Sequence, residues 1–328
     1  MNLRVAILTL ADQHQLSPEA GRLLKQLAAL DAPPPSLQRY LPFGIAVLAA
    51  VLTGLGIIFW VAANWAELPR AIRFMLLEAI VLATLLGAWR LPAARIPLSL
   101  LGFIACGGLF AYVGQTYQTG ADPWQLFALW AVLTLPLCLS VRHDVLWVAW
   151  TIVALTATQL FSAVQTNGWW WDQEITLQNS LGSWVPALVL AFLFRFAPRA
   201  WIGAGAGVGA GSWPMRLSMI FAVIGLSTMS VRSLFATANT GFYPISLLMV
   251  AILAVAFSRR GLFDIFVLSV LGLALNVLLV CGMTQLLINV RAFEIGALLL
   301  VGASAAALLA GTVKLLVHLA RVQNGEHI

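Results

Sequence analysis

Charge is what this chain has least of. Of its 328 residues only 9% are Asp, Glu, Lys or Arg, against about 25% in an ordinary soluble domain. A chain so poor in charge cannot cover a soluble surface. Cysteine is scarce too. Cys106, Cys138 and Cys281 all fall inside apolar runs, which excludes a disulfide framework and reads as three small hydrophobes. Strict alternation of apolar and polar residues is missing, which excludes a transmembrane barrel. Met1 to Ala11 carries one basic residue and a short apolar run, but Asp12-Gln-His-Gln follows where a small-residue cleavage site belongs, so no secretory leader is expected. The glycine-rich stretch Gly203–Ser212 has no Gly-Lys-Ser/Thr ending, which excludes a phosphate loop. His143-Asp144 has no further ligand near it in sequence, so no metal is expected there. No cofactor is expected either. The net charge of +6 is scattered singly through short segments, which is not the clustered basic patch of a nucleic-acid binder.

Apolar residues supply what charge does not. They make up 61% of the chain, and mean hydropathy is +0.94. A membrane-crossing helix needs roughly 20 mostly apolar residues. Runs of that kind recur from Phe43 to His318, and we read about ten spans: 43–63, 71–89, 97–114, 124–140, 145–164, 183–197, 216–236, 242–257, 262–285 and 293–318. The expected fold is all-α, a polytopic transmembrane helical bundle in the lipid bilayer. Helices satisfy their own backbone in lipid, and open sheets do not.

The basic residues then set an orientation. With both termini cytoplasmic, the inner side collects all of the Lys and Arg except Arg70, Arg73, Arg232 and Arg291, which is 14 of 18. Such a bias is how helical membrane proteins orient. Residues 1–39 read as a cytoplasmic amphipathic preface. Ser17 is placed to cap a helix with Pro18 at its first position, Leu23, Leu24, Leu27 and Leu30 line one face, and Pro33-Pro-Pro35 ends it. A front membrane domain of six spans is expected over 40–197, a glycine-rich cytoplasmic linker over 198–215, a back domain of four spans over 216–320, and a tail over 321–328.

Polar groups gather at the outer ends of the spans. Asn64, Trp65, Glu67, Arg70 and Arg73 close the first two, and Gln115, Tyr117, Gln118, Asp122 and Gln125 close the third and fourth. Charges within a span usually face a cavity or a partner. Asp122-Pro123 starts the fourth helix, with Asp122 in position to cap it. Glu78 lies about 10 Å below the outer end of the second span and about 140° around it from Arg73. Arg232 lies at a similar depth in the seventh, so a Glu78–Arg232 ion pair is one expectation and a protonated Glu78 the other. Asn64, Glu67, Arg70, Arg73, Glu78, Gln115, Tyr117, Gln118, Asp122, Gln125 and Arg232 are the candidate ligand-binding residues. No catalytic set is assigned. Trp169-Trp-Trp171 reads as an interfacial belt.

The same polar residues carry a family likeness. At Gly56-Ile-Ile-Phe-Trp-Val-Ala-Ala-Asn-Trp-Ala-Glu-Leu-Pro-Arg70, Arg73-Phe-Met-Leu-Leu-Glu78, Gly114-Gln-Thr-Tyr-Gln-Thr-Gly-Ala-Asp-Pro-Trp-Gln-Leu-Phe-Ala-Leu-Trp130, Leu135-Pro-Leu-Cys-Leu-Ser-Val-Arg142 and Leu146-Trp147, the chain resembles the bacterial domain-of-unknown-function family 2157. The resemblance covers roughly the first half, to about residue 165. It implies a bacterial inner-membrane protein and brings no assigned reaction, so no catalytic residue is carried over.

Three functions remain open to the sequence. One is an outward-facing polar cavity that binds or transports a small polar or anionic solute or a lipid headgroup. Another is a structural or regulatory subunit with a membrane-protein partner or a second copy of itself, where Gly107-Gly108 and Gly302-Ala-Ser-Ala-Ala-Ala307 offer small faces for close packing. The third is a membrane-embedded lipid or glycan enzyme using Glu67 or Asp122, for which the sequence supplies no nucleophile–base pair.

Overall fold

A computed structural model describes residues 35–64, 68–117, 122–165, 177–197, 212–235, 241–259, 261–290 and 295–323, with isolated positions elsewhere. Among the described residues the chain is helical throughout, without strands. Its helices are α1 (Pro35–Ala63), α2 (Arg70–Arg90), α3 (Arg95–Tyr117), α4 (Pro123–Val141), α5 (Asp144–Gln165), α6 (Leu177–Phe196), α7 (Ser212–Phe235), α8 (Phe242–Ser258), α9 (Ile265–Asn289) and α10 (Ile295–Gln323). Each expected span falls on one of them. Eight are long and apolar enough to cross a membrane. The stretches Leu181–Phe196 and Phe242–Ser258 are shorter. The chain is a multi-pass membrane protein.

It divides into two compact units, Met1–Thr53 and Gly54–Ile328. In the first, the Ala20 amide donates to Ser17 Oγ at 3.3 Å, the cap expected of Ser17. The packed helices belong to the second.

Turns at one end of these helices are short and made by specific groups. Between α2 and α3 the chain reverses through a 3-10 turn, Pro92–Ala94. Between α4 and α5, Arg142 takes a left-handed conformation at φ 52°, and its amide donates to Cys138 O at 2.9 Å. His143 then opens α5. Its carbonyl accepts from the Leu146 and Trp147 amides, and its Nδ1 accepts from the Val145 amide at 3.2 Å. Burial lowers the His143 pKa, against an upward pull from Asp144. The neutral ring is the form able to accept on Nδ1. Asp264 caps α9, its carboxylate accepting from the Phe266 and Val267 amides. This is the basic end of the bundle, holding Arg90, Arg95, Arg142, Arg195 and Arg216.

Side chains tie that end across long sequence separations. Arg95 donates to Ser140 O at 3.1 Å, and Arg195 donates to Gly261 O. Arg216 and Asp264 form a salt bridge at 3.0 Å, with the Arg216 guanidinium 5.3 Å from the Trp213 ring centre and 5.5 Å from that of Phe266.

Within the apolar layer, small residues admit close neighbours. A Cβ on Gly107 would stand 2.5 Å from the Trp130 ring, and one on Gly225 would stand 2.6 Å from Ser183 O. Trp130 Nε1 donates to Phe103 O at 3.0 Å, and Trp150 Nε1 to Ala131 O at 2.8 Å. These rings join α3 to α4 and α4 to α5. Leu155, Ala187 and Ala222 form a buried cluster that joins α5, α6 and α7. Helix α7 packs against α5, α6, α8 and α9.

Candidate functional site

The expected site lies at the other end of α1–α4, opposite the basic turns. Pro69 stands in extended conformation before α2, and its carbonyl accepts from the Ile72 and Arg73 amides. Helix α2 buries one stripe, Arg73, Leu77, Thr84 and Ala88. These positions recur at helical spacing on a single face. Arg73 is 8% exposed. Below it Val61, Leu77 and Tyr112 form a buried cluster with Phe74 and Leu109 packed on it. Tyr112 and Phe74 meet edge-on at 4.4 Å, and the Tyr112 hydroxyl donates to Arg70 O at 3.0 Å. Tyr112 was not among the residues expected from the sequence. Its only signal there is a phenol placed just before the polar segment that begins at Gly114.

The structure places the other candidates as follows. Asn64 Nδ2 donates back to Trp60 O at 2.8 Å, closing the end of α1. Arg70, Gln115, Asp122 and Gln125 are exposed. Glu67, Gln118 and the side chain of Tyr117 lie outside the described residues, as do Trp65, Arg291 and Trp169–Trp171. Asp122 occupies the N-cap of α4, and Pro123 follows at the first helical position. The Asp122 side chain makes no cap hydrogen bond, however. Its carboxylate instead accepts from Trp124 Nε1 at 3.4 Å.

The expected Glu78–Arg232 ion pair is not formed. Glu78 is exposed, on the face of α2 opposite Arg73. Its neighbours on that face, Met75 and Leu82, are 68% and 61% exposed. Arg232 is half-buried, with Nη1 3.8 Å from Met229 Sδ. Arg216 and Asp264 do form an ion pair, at the basic end. Matching depths misled because depth says nothing of rotation about the helix axis.

Residues 8–147 match a family model described as Predicted membrane protein (DUF2157). The family resemblance read in the polar motifs is thereby shown over α1–α4, the turn after them and the first residues of α5. No curated protein and no solved structure matches the chain. The matched segment holds every candidate except Arg232. It contributes two arginines one turn apart, one buried and one exposed, above an aromatic floor. Such an arrangement is able to hold an anion chemically, since guanidinium groups bind carboxylate and phosphate through paired N–H donors.

Proposed function

We propose that the polar end of α1–α4 binds a small anionic solute, or the headgroup of a lipid, in a protein of the bacterial inner membrane with its basic end in the cytoplasm. One observation carries this reading: Arg73 is buried on the packed face of α2, one turn below exposed Arg70. A guanidinium held at the edge of the apolar layer is costly and usually functional. Exposed Gln115, Asp122 and Gln125 line the same end with amide donors and one carboxylate. The orientation rests on the 14 of 18 basic residues that fall on one side. A panel of small anions tested by thermal shift on the detergent-purified chain checks the proposal. Saturation of a real site to 100 times its dissociation constant stabilises by about 2.7 kcal/mol. The shift is expected to vanish in the double variant Arg70→Gln, Arg73→Gln. If no anion shifts the wild-type chain, the reading falls.

A second reading, a subunit of a membrane complex or a homo-oligomer, has its own support. Glu78 stands on the exposed face of α2 within a span, where a carboxylate needs a partner that supplies a donor. On α10, a Cβ added at Gly296, Gly302 or Gly311 would meet nothing within 4 Å, whereas the space beside Gly107 and Gly108 is filled by Trp130 and Ile58. Association in mild detergent that Glu78→Leu abolishes and Glu78→Gln preserves would favour this reading. A monodisperse single chain would remove it.

A further inference from the structure

A lateral groove at the basic end belongs to neither reading. It runs between α4, α5 and α6 as a hollow of about 660 Å³, within the usual range of about 300–1,000 Å³ for small-molecule sites. Its walls are apolar and largely aromatic, with Trp147, Trp150, Phe192 and Phe196 among them. A second hollow of about 430 Å³ adjoins it. The two share Leu139 and Trp147, and Arg142 lines the second. The apolar slot thus adjoins a hollow that Arg142 lines at the end of α4.

Arg142 is held there by its backbone. It is the left-handed C-cap of α4 at φ 52°, ψ 50°, a position where glycine is the usual residue. A side chain in this conformation costs roughly 1–2 kcal/mol. Arg142 Nε donates to Leu139 O at 3.0 Å, which fixes the plane of the guanidinium. Arg142 is exposed, and no hydrogen bond among the described residues uses either of its Nη groups. The surrounding end is positive. Arg90, Arg95 and Arg195 lie there. Of the carboxylates at that end, Asp264 is paired with Arg216, and Asp144 stands beside the turn.

We propose that this groove holds one anionic phospholipid, with an acyl chain along the Leu188–Phe196 face of α6 and the phosphate on Arg142. A neutral apolar molecule would use the slot but not the guanidinium. A soluble anion would use the guanidinium but not the slot. A lipid phosphate at the end of a hydrocarbon chain uses both, and basic pockets between transmembrane helices on the cytoplasmic side are known to bind such headgroups.

Native mass spectrometry of the full chain, titrated with phosphatidylglycerol or with phosphatidylcholine, tests the proposal. The wild-type chain is expected to retain phosphatidylglycerol preferentially. Arg142→Gly is expected to lower phosphatidylglycerol retention about fivefold, the worth of one basic group near a membrane surface, and to leave phosphatidylcholine unchanged. Glycine suits the left-handed turn, so this variant is expected to melt no lower than wild type without lipid. Val189→Trp, which fills the slot, is expected to lower retention of both lipids. Arg90→Gln removes the same charge at the same end but lines neither hollow, and it is expected to change nothing. Equal retention of the two lipids by the wild-type chain would overturn the proposal. So would an Arg142→Gly variant that binds phosphatidylglycerol like wild type, or an Arg90→Gln variant that loses it equally.

Discussion

Helices α7 and α10 are nearly alike as sequences and opposite as structures. Both are long and apolar, with mean hydropathies of 1.6 and 2.0 over their spans. Yet over an 18-residue apolar stretch of each, 44% of α7 is buried inside the protein and only 6% of α10. Glycine has opposite meanings in the two. Gly225 of α7 lets the Ser183 carbonyl approach to within what a Cβ would occupy, while Gly302 and Gly311 of α10 face open space. Lipid is as apolar as a protein core, so hydropathy alone cannot separate a helix wrapped by neighbours from one wrapped by lipid. What separates them is where small residues meet a neighbour's backbone.

Substitutions can sharpen or break that contrast. The largest effect is expected at Gly225→Val, whose branched side chain would collide with backbone rather than with a movable side chain. Overpacking of this kind costs about 3 kcal/mol, and fluorescence-detected size exclusion should show the monodisperse peak lost at temperatures the wild type survives. Asp264→Ala comes next. It removes the α9 cap and strands Arg216, which is 23% exposed, for a combined loss of about 2 kcal/mol in a detergent melt.

A smaller effect follows from His143, at the head of the helix that packs against α7. Burial holds its folded-state pKa below the ordinary 6.5, so the folded state favours the neutral, capping ring. The stability it contributes is complete above pH of about 6.5 and is lost as pH falls toward the lowered folded value. His143→Asn keeps an acceptor and is expected to flatten this acid-side slope, read as melting temperature between pH 7 and pH 5. The smallest effect is expected at Gly311→Leu on α10, within about 0.5 kcal/mol for a position that touches nothing. A large effect there would mean that α10 is covered by another chain, and the contrast with α7 would vanish.

Much of the fold was legible. Apolar length located each of the ten helices among the described residues, and Pro123 stands where α4 starts. The misplaced boundaries have local causes. The ninth span was read from residue 262, but α9 begins at Ile265 because Asp264 takes the cap. The first was read from Phe43, but α1 starts at Pro35 and carries Pro42 within it. The site was less legible. The 140° offset between Arg73 and Glu78 was visible, but not which of the two faces inward, since that depends on what α3 presents to α2. Arg216 and Asp264 are 48 residues apart in sequence, and nothing local announces their meeting. Asp122 sits where a capping carboxylate should, yet its oxygen goes to Trp124, a competition that composition cannot rank.

The clamps at the basic end have a bearing on chain continuity. Arg195, the last cation of α6, is bound to Gly261, and Arg216, in the first turns of α7, is bound to Asp264. Both helix ends that flank residues 198–211 are thus anchored to the same α8–α9 turn. Two polypeptides expressed together, one ending after α6 and the other starting before α7, should find each other in the membrane and co-purify as a nicked but complete bundle.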